Sequence, residues 1–152
     1  MLGIDYRKLD YDDIEKFIEM RINQLQEQGV EHIYDLKPDL RNYYKKHLAD
    51  GTFVAWVAVR GDEIIATSGI SFVEKPPYYS NTSGKIGLLS SMYTLSKYRR
   101  NGIAKELLGK LKQEAKNHGC GTIQITASEI GALLYSDFGF EKNRNFMEYR
   151  IF

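Results

Sequence analysis

The segment from Tyr98 to Ala104 constrains the fold most, because it joins an apolar stretch directly to a helical pattern. Residues 85–95 are typical of a strand, and the apolar residues Ile103, Leu107 and Leu111 then recur at helical spacing. The first N–H groups of a helix have no partner within the helix, and its dipole favours negative charge there. The junction, here termed the cradle, is therefore predicted to be a helix start that could bind an anion.

The composition of the cradle narrows the kind of anion. Arg99 and Arg100 add positive charge, and Gly102 and Ala104 are small enough for a ligand to approach the backbone closely. The segment is not a Walker loop, since no Gly-Lys-Ser or Gly-Lys-Thr follows four free positions, and it lacks the three glycines of the dinucleotide fingerprint. A pyrophosphate fits this pattern. The alternative to a pyrophosphate site is an ordinary helix start that is exposed to solvent, and the segment alone does not decide between the two.

Length and charge limit the classes of partner. The chain has 152 residues, which suits a single domain over 1–152 with a full core. It carries 21 Lys and Arg against 20 Asp and Glu, so no global field favours nucleic acid or a membrane surface. Phe53 to Val59, the longest strongly apolar run, is too short to span a bilayer, and the amino terminus lacks a signal-peptide pattern. We therefore expect a cytoplasmic protein with a small-molecule partner.

Cysteine and histidine content gives no indication of redox or metal chemistry. Cys120 is the only cysteine, so an internal disulfide is impossible and an inert thiol is expected. His32, His47 and His118 do not have the spacing of metal ligands. No metal site is predicted.

Hydrophobic periodicity predicts an α/β chain in the order strand, two helices, three strands, helix, strand, helix, strand. The strands are predicted at 3–9, 53–59, 63–73, 85–95, 122–126 and 146–151. The helices are predicted to follow the Asp10–Asp13 cap to about Gln28, to run from Pro38 to about Leu48, to run from the cradle to near Gly119, and to run from a Ser128 cap to Gly139. Residues 74–84 hold two prolines and two tyrosines and are predicted to form a surface loop that could line a pocket.

Two short motifs identify a family resemblance. Arg99, Gly102 and Ala104 match a coenzyme A motif of Arg or Gln, two free positions, Gly, one free position, then Gly or Ala. Leu134-Tyr135 and Gly139-Phe140 match a second motif, in which three free positions separate Leu-Tyr from Gly-Phe. With these motifs in this order and a predicted strand between their helices, the chain resembles the GNAT superfamily of N-acetyltransferases. The element order extends the resemblance over nearly the whole chain.

The resemblance implies a central mixed, mostly antiparallel sheet whose central strands splay apart to hold acetyl-CoA as cosubstrate. It implies that the cradle surrounds the pyrophosphate of acetyl-CoA through Arg99, Arg100, Asn101, Gly102, Ile103 and Ala104. It also implies that main-chain groups of Met92, Tyr93 and Thr94 pair with the pantetheine arm, as a missing strand would. A bulge in that strand would free one N–H to polarise the acetyl carbonyl.

Tyr135 matches the general acid of the family, which protonates the departing thiolate of coenzyme A. A phenol with a pKa near 10 is protonated at neutral pH and can supply that proton. A Tyr whose ring simply packs on the sheet is the alternative. The general base is unassigned, because residues 88–91 lack the glutamate that the family often places there. Glu74, Glu129 and a water chain held by Ser90 or Ser91 are the candidates.

The acceptor is expected opposite the cofactor, between residues 21–44 and the loop at 74–84. Tyrosines and carboxylates in these segments suit an amine, although ordinary surface and core roles would also explain them: Tyr34, Tyr43, Tyr44, Tyr78, Tyr79, Glu27, Glu31 and Asp35. Arg21 falls inside the apolar stripe of the first helix. It is expected to pair with a carboxylate, with a role in holding substrate as the alternative.

The resemblance therefore predicts an acetyl-CoA-dependent N-acetyltransferase that moves an acetyl group directly to a primary amine of a small molecule. The resemblance also implies a possible homodimer, which is common in the family. A non-catalytic acetyl-CoA-binding sensor or interaction module of the same fold is the alternative. A nucleic-acid-binding domain that uses Arg99 and Arg100 is the third possibility, but the sequence shows no wider basic face to support it.

Overall fold

A computed structural model of the chain describes residues 3–31, 33–126, 129–143 and 146–152. In these ranges the chain forms five strands and four helices. The strands are β1 (Asp5–Lys8), β2 (Phe53–Arg60), β3 (Glu63–Glu74), β4 (Lys85–Thr94) and β5 (Thr122–Gln124). The helices are α1 (Ile14–Glu27), α2 (Lys37–Asp50), α3 (Ile103–Asn117) and α4 (Glu129–Phe138), with single 3₁₀ turns at Tyr11–Asp13 and Ser96–Tyr98. None of the described helices is long and apolar enough to cross a membrane.

The five strands form one sheet in the order β1-β2-β3-β4-β5. The first three pairings are antiparallel, and β4 pairs with β5 in parallel. The sheet is therefore mixed and mostly antiparallel, as the family resemblance implied. Because β5 closes one end of this order, β4 lies next to the edge strand and leads through the 3₁₀ turn into α3.

Alternation along β2 divides the core between the two faces of the sheet. Phe53 and Val57 pack with α1 and α2, whereas Ala58 packs with α3 on the other face. Val57 and Ala58 are both fully buried, so this strand is covered on both sides. Tyr135 of α4 joins the core of the α3 face. The sheet therefore separates the α1 and α2 side from the side of the predicted cofactor helix.

Gly69 in β3 is required by packing, which gives a stability prediction. A Cβ at Gly69 would lie 2.6 Å from Cζ of Phe53, whose side chain is 1 % exposed. We expect Gly69→Ala to lower the free energy of unfolding by about 1–3 kcal/mol, because the aromatic ring has little room to shift. Gly109→Ala is the matched control on the exposed face of α3, where a Cβ meets nothing within 4 Å; it should raise stability by about 0.5–1 kcal/mol. Urea titration measures both values, and an unperturbed Gly69→Ala protein would contradict this packing.

Two sequence predictions differ from the structure at the end of the chain. The strand predicted at 122–126 is shorter, since only Thr122–Gln124 pairs with β4. The strand predicted at 146–151 is wrong, because residues 146–152 form no strand and expose Phe146 and Tyr149. An alternating apolar pattern is typical of a strand, but a strand also needs a neighbouring strand with which to form hydrogen bonds. No described strand of this chain pairs with residues 146–152.

Candidate functional site

A β-bulge interrupts β4 near its centre. The β3–β4 register shifts between Thr67 and Gly69, so that Ser91 and Met92 together oppose Ser68. Ser91 has φ 58°, a left-handed conformation that a residue other than glycine rarely adopts. The Thr67 hydroxyl donates to the Ser91 carbonyl at 2.7 Å and holds the bulge in place. The bulge lies in the strand for which the resemblance implied one.

On both sides of the bulge, one edge of β4 is open. β5 pairs with β4 only from Ile86 to Leu88, whereas β4 continues to Thr94. The backbone of residues 89–94 therefore has no β5 neighbour, and this stretch is termed the open edge of β4. An edge without a neighbouring strand can pair its N–H and C=O groups with an extended ligand. It leads directly toward the start of α3.

The cradle is built from an unusual backbone turn. Arg100 has φ 64° and Gly102 has φ 76°, both in the left-handed region. No side chain caps α3, and the first helical hydrogen bond runs from the Glu106 N–H to the Gly102 carbonyl at 3.1 Å. A Cβ at Gly102 would meet nothing within 4 Å, so the space in front of it is open. Unpaired N–H groups therefore face an open space at the positive end of the helix dipole.

The polar side chains of the cradle differ in their contacts: two bind other parts of the protein, and one is exposed. Asn101 Nδ2 donates to the carbonyls of Tyr98 and Arg99, at 3.0 and 3.2 Å, and so fixes the turn. Arg99 Nε donates to the Thr94 carbonyl at 2.8 Å, and its Nη2 lies 2.8 Å from a carboxylate oxygen of Glu27. Arg99 thus ties the cradle to β4 and α1. Arg100 is exposed and forms no ion pair within the described ranges, which leaves its charge available to a ligand.

Gln24 of α1 reaches the bulge, and sequence reasoning missed its role. Gln24 Nε2 donates to the Met92 carbonyl at 3.0 Å, although Gln24 is only 8 % exposed. Arg21 Nη1 donates to Gln24 Oε1 at 2.8 Å, and the Tyr93 hydroxyl donates to Glu27 at 2.9 Å. Arg99, followed by Tyr93, lowers the pKa of Glu27 through these hydrogen bonds. The only indication of this role in the sequence is that Gln24, a polar residue, lies on the same face of the first helix as the apolar core residues.

The contacts of Arg21 correct one expectation. In the part of the chain that the structure describes, Arg21 forms no ion pair, and its partner is the neutral amide of Gln24. The prediction of a carboxylate partner is therefore wrong for these residues. The half-buried guanidinium is left without a compensating anion.

The Leu-Tyr and Gly-Phe motif has a structural explanation at the end of α4. Gly139, with φ 118°, ends the helix, and the N–H groups of Gly139 and Phe140 both donate to the Tyr135 carbonyl, at 3.1 and 2.9 Å. Phe140 then packs edge-on against the Tyr135 ring, with centroids 5.6 Å apart. Burial raises the pKa of Tyr135 to about 12, so the phenol is protonated at neutral pH. The motif thus fixes a buried, protonated phenol on the α3 side of the sheet.

The structure separates Glu74 and the 74–84 loop from the bulge. Glu74 pairs with Lys85 at the beginning of β4. Lys85 precedes Ser91 by six residues, which corresponds to roughly 20 Å of strand. Tyr78 and Tyr79 lie on the loop at that same distant end. The expectation that Glu74 and this loop line the reaction site is wrong, because a hairpin loop lies at the end of its strands opposite to the cradle. The Glu129 side chain lies outside the described residues.

The other predicted acceptor residues divide into two groups. Tyr44 is buried in the α1 and α2 core, and the Tyr43 hydroxyl forms a 2.7 Å hydrogen bond with Ser71. Tyr34, Glu31 and Asp35 instead line a cavity of about 710 Å³ beside α1. Tyr43 and Tyr44 do not line this cavity, so residues 21–44 do not form a single acceptor wall around it.

Comparisons with known proteins agree with this geometry. The sequence model of the Acetyltransferase (GNAT) family matches residues 17–140. A crystal structure described as a predicted acetyltransferase with acetyl-CoA, from Clostridium acetobutylicum, is 35 % identical, covers 97 % of this chain and 96 % of its own, and has a TM-score of 0.93.

Two curated relatives also match. N-acetyltransferase 8B of Rattus norvegicus is 33 % identical over 111 residues, which are 70 % of this chain but only 48 % of the rat protein, so the chain spans about half of that relative. Glucosamine 6-phosphate N-acetyltransferase 1 of Dictyostelium discoideum is 27 % identical over 146 residues, covering 92 % of this chain and 86 % of its own. The family model, the acetyl-CoA-bound neighbour and these relatives point to one assignment: the chain belongs to the GNAT family of acetyltransferases.

Proposed function

We propose that this protein is an acetyl-CoA-dependent N-acetyltransferase that transfers an acetyl group directly to a primary amine of a small molecule. One observation carries the proposal: the open edge of β4 continues from the bulge, through the 3₁₀ turn, to the uncapped start of α3. The strand edge can form hydrogen bonds with a pantetheine arm, and the helix start that follows it can bind the pyrophosphate at the end of that arm. The neighbour described with acetyl-CoA supports the same cosubstrate.

The residues present fit acetyl-CoA. The space in front of Gly102 is open, and the N–H groups around it lack helical partners. We propose that the main chain of Arg100, Gly102, Ile103 and Ala104 holds the pyrophosphate, while Arg99 and Asn101 maintain the turn. Main-chain groups of Met92, Tyr93 and Thr94 would hold the arm. The carbonyls of Met92 and Thr94 already accept hydrogen bonds from Gln24 and Arg99. The N–H groups of this stretch are therefore the ones we expect to bind the pantetheine arm.

Acetyl-CoA, when bound, supplies an acetyl group activated as a thioester. The bulge at Ser91 and Met92 breaks the ladder to β3, and an N–H released there would polarise the acetyl carbonyl. Tyr135 would donate its phenolic proton to the thiolate as it leaves. With a pKa of about 12, Tyr135 keeps this proton over the whole physiological range.

The acceptor must react as a neutral amine. For an amine with a pKa near 10.4, deprotonation at pH 7 costs roughly 4 to 5 kcal/mol. The position of Glu74 removes it from the candidates for the base, which leaves Glu129 or a water chain. Transfer in one step from cosubstrate to amine requires no nucleophile on the protein.

The proposal is tested by turnover with a panel of amines. We expect free coenzyme A to appear in equal amount to an acetylated primary amine, identified by mass spectrometry, for at least one small amine in a panel of amino acids, amino sugars, polyamines and aminoglycosides. The reaction without protein is the control. Tight acetyl-CoA binding with no acetylated amine would favour a non-catalytic sensor instead and contradict the proposal.

A further inference from the structure

Residues 146–152 expose a stretch of the chain that is rich in apolar side chains. Five of these seven residues are large and apolar, and their relative exposures lie between 81 % and 110 %: Phe146, Met147, Tyr149, Ile151 and Phe152. Single exposed apolar side chains are common on protein surfaces, but a contiguous group is typical of an interaction site. This stretch is termed the apolar segment, and it is expected to pack against another protein surface.

The apolar segment has the residue pattern of a strand with one apolar face. In an extended conformation Met147, Tyr149 and Ile151 lie on one face, and the charged Glu148 and Arg150 lie on the other. Such a strand suits a sheet position that is covered by the protein on one side only. Within one copy of the chain the segment does not occupy such a position, because no described strand pairs with it.

The edge of the sheet at β5 has room for one more strand. β5 is last in the sheet order, so its second edge has no neighbour among the described strands. Apolar side chains of β5, of α4 and of the residues that follow them pack against the core of the α3 side but are only partly buried: Ile123, Ile125, Leu134, Phe138 and Phe140. Leu133 of α4 is 71 % exposed. The α3 side of the sheet is therefore incompletely covered near the edge at which β5 can accept a strand.

We infer that the apolar segment of one copy of this chain adds a strand to the free edge of β5 in a second copy, and that the two copies exchange these segments in a two-fold dimer. The chain carries both parts of the interface, the strand and the edge, so a symmetric pair completes both sheets without an outside partner. The face formed by Met147, Tyr149 and Ile151 covers the partly buried side chains beside β5. This interface does not depend on the proposed acetyl transfer.

The area that the exchange would bury is sufficient for a stable dimer. Phe146, Tyr149 and Phe152 are aromatic, and one aromatic side chain buries about 150–250 Å². Each copy contributes these three rings together with Met147 and Ile151. The combined contact therefore reaches the range of about 1,200–2,000 Å² that specific interfaces bury.

Light scattering during size-exclusion chromatography tests the dimer on the full chain at micromolar concentration. The wild-type protein should have twice the mass of one chain. Tyr149→Asp should have the mass of one chain, because it puts a charge into the apolar face of the added strand. Met147→Asp, at a residue that is 99 % exposed, is a second variant with the same expected result. Tyr79→Asp is the matched control, since Tyr79 is 105 % exposed on the distant 74–84 loop, and it should remain a dimer.

Hydrogen exchange then locates the interface. In residues 122–126, the amides that do not bond to β4 should be protected in the wild-type protein and in Tyr79→Asp. They should exchange at least about tenfold faster in Tyr149→Asp, as expected when an N–H loses a hydrogen bond of ordinary strength.

Three results would overturn the inference. The first is a wild-type monomer, including one with protected amides at 122–126, in which the segment pairs with β5 of its own chain. The second is a dimer that Tyr149→Asp and Met147→Asp both leave intact. The third is a dimer that dissociates in these variants without any change of exchange at 122–126, which would place the contact elsewhere.

Discussion

Tyr135→Phe should lower kcat by about 10²-fold or more, because it deletes the proposed proton donor to the leaving thiolate. The ring would still pack against Phe140, and the cradle would be unchanged, so the affinity for acetyl-CoA should stay within about twofold. Single-turnover kinetics measures the chemical step directly. Phe138→Leu is a control in the same helix, since it alters packing near Phe140 without removing a hydroxyl.

The raised pKa of Tyr135 gives this prediction a second readout. Its value of about 12 lies above the ordinary value of 10.0, so the donor form persists as pH rises. The single-turnover rate of the wild-type protein should therefore not fall through pH 10 from loss of the acid, and it should rise as the amine loses its proton. A Tyr135→Phe protein with the wild-type rate would contradict the role of Tyr135 as general acid and leave it only a packing role.

Gly102→Glu and Ala104→Asp should each abolish the rise in Tm that acetyl-CoA produces. Each change puts a carboxylate where the pyrophosphate is expected, at the positive end of α3. Gly102→Glu also forces a side chain into a φ of 76°, which costs roughly 1–2 kcal/mol, so Ala104→Asp is the cleaner variant. Differential scanning fluorimetry with and without acetyl-CoA provides the measurement.

Gly109→Asp is the matched control for the cradle variants. It adds the same charge to an exposed position of α3 where a Cβ meets nothing within 4 Å, but away from the start of the helix. It should keep the Tm shift. Undiminished binding by both cradle variants would place acetyl-CoA elsewhere.

The sequence predicted best the features that depend on neighbouring residues. The start of a helix at the cradle, where α3 begins at Ile103, follows from local backbone preferences. The end of α4 at Gly139 has the same basis. The mixed, mostly antiparallel sheet followed from the family resemblance, and the order of the first five strands along the chain followed from periodicity.

Features set by distant contacts were missed. The left-handed Ser91 is held by Thr67, which precedes it by 24 residues, and nothing in residues 88–91 indicates that conformation. In the sequence, Gln24 is a polar residue that interrupts an apolar stripe. Only the structure shows the reason, which is its hydrogen bond to the Met92 carbonyl. The aromatic 74–84 loop suggested a pocket by composition, but hairpin connectivity places it at the far end of β4.

The most direct test of the central claim is a single-turnover reaction with acetyl-CoA labelled with ¹³C in the acetyl group, with excess protein and the best amine of the panel. Mass spectrometry follows the label on both amine and protein over time. Direct transfer predicts that the label appears on the amine nitrogen at the rate at which coenzyme A is released, with no labelled protein at any time. Coenzyme A release that precedes labelling of the amine, together with an acetylated protein residue, would contradict the account.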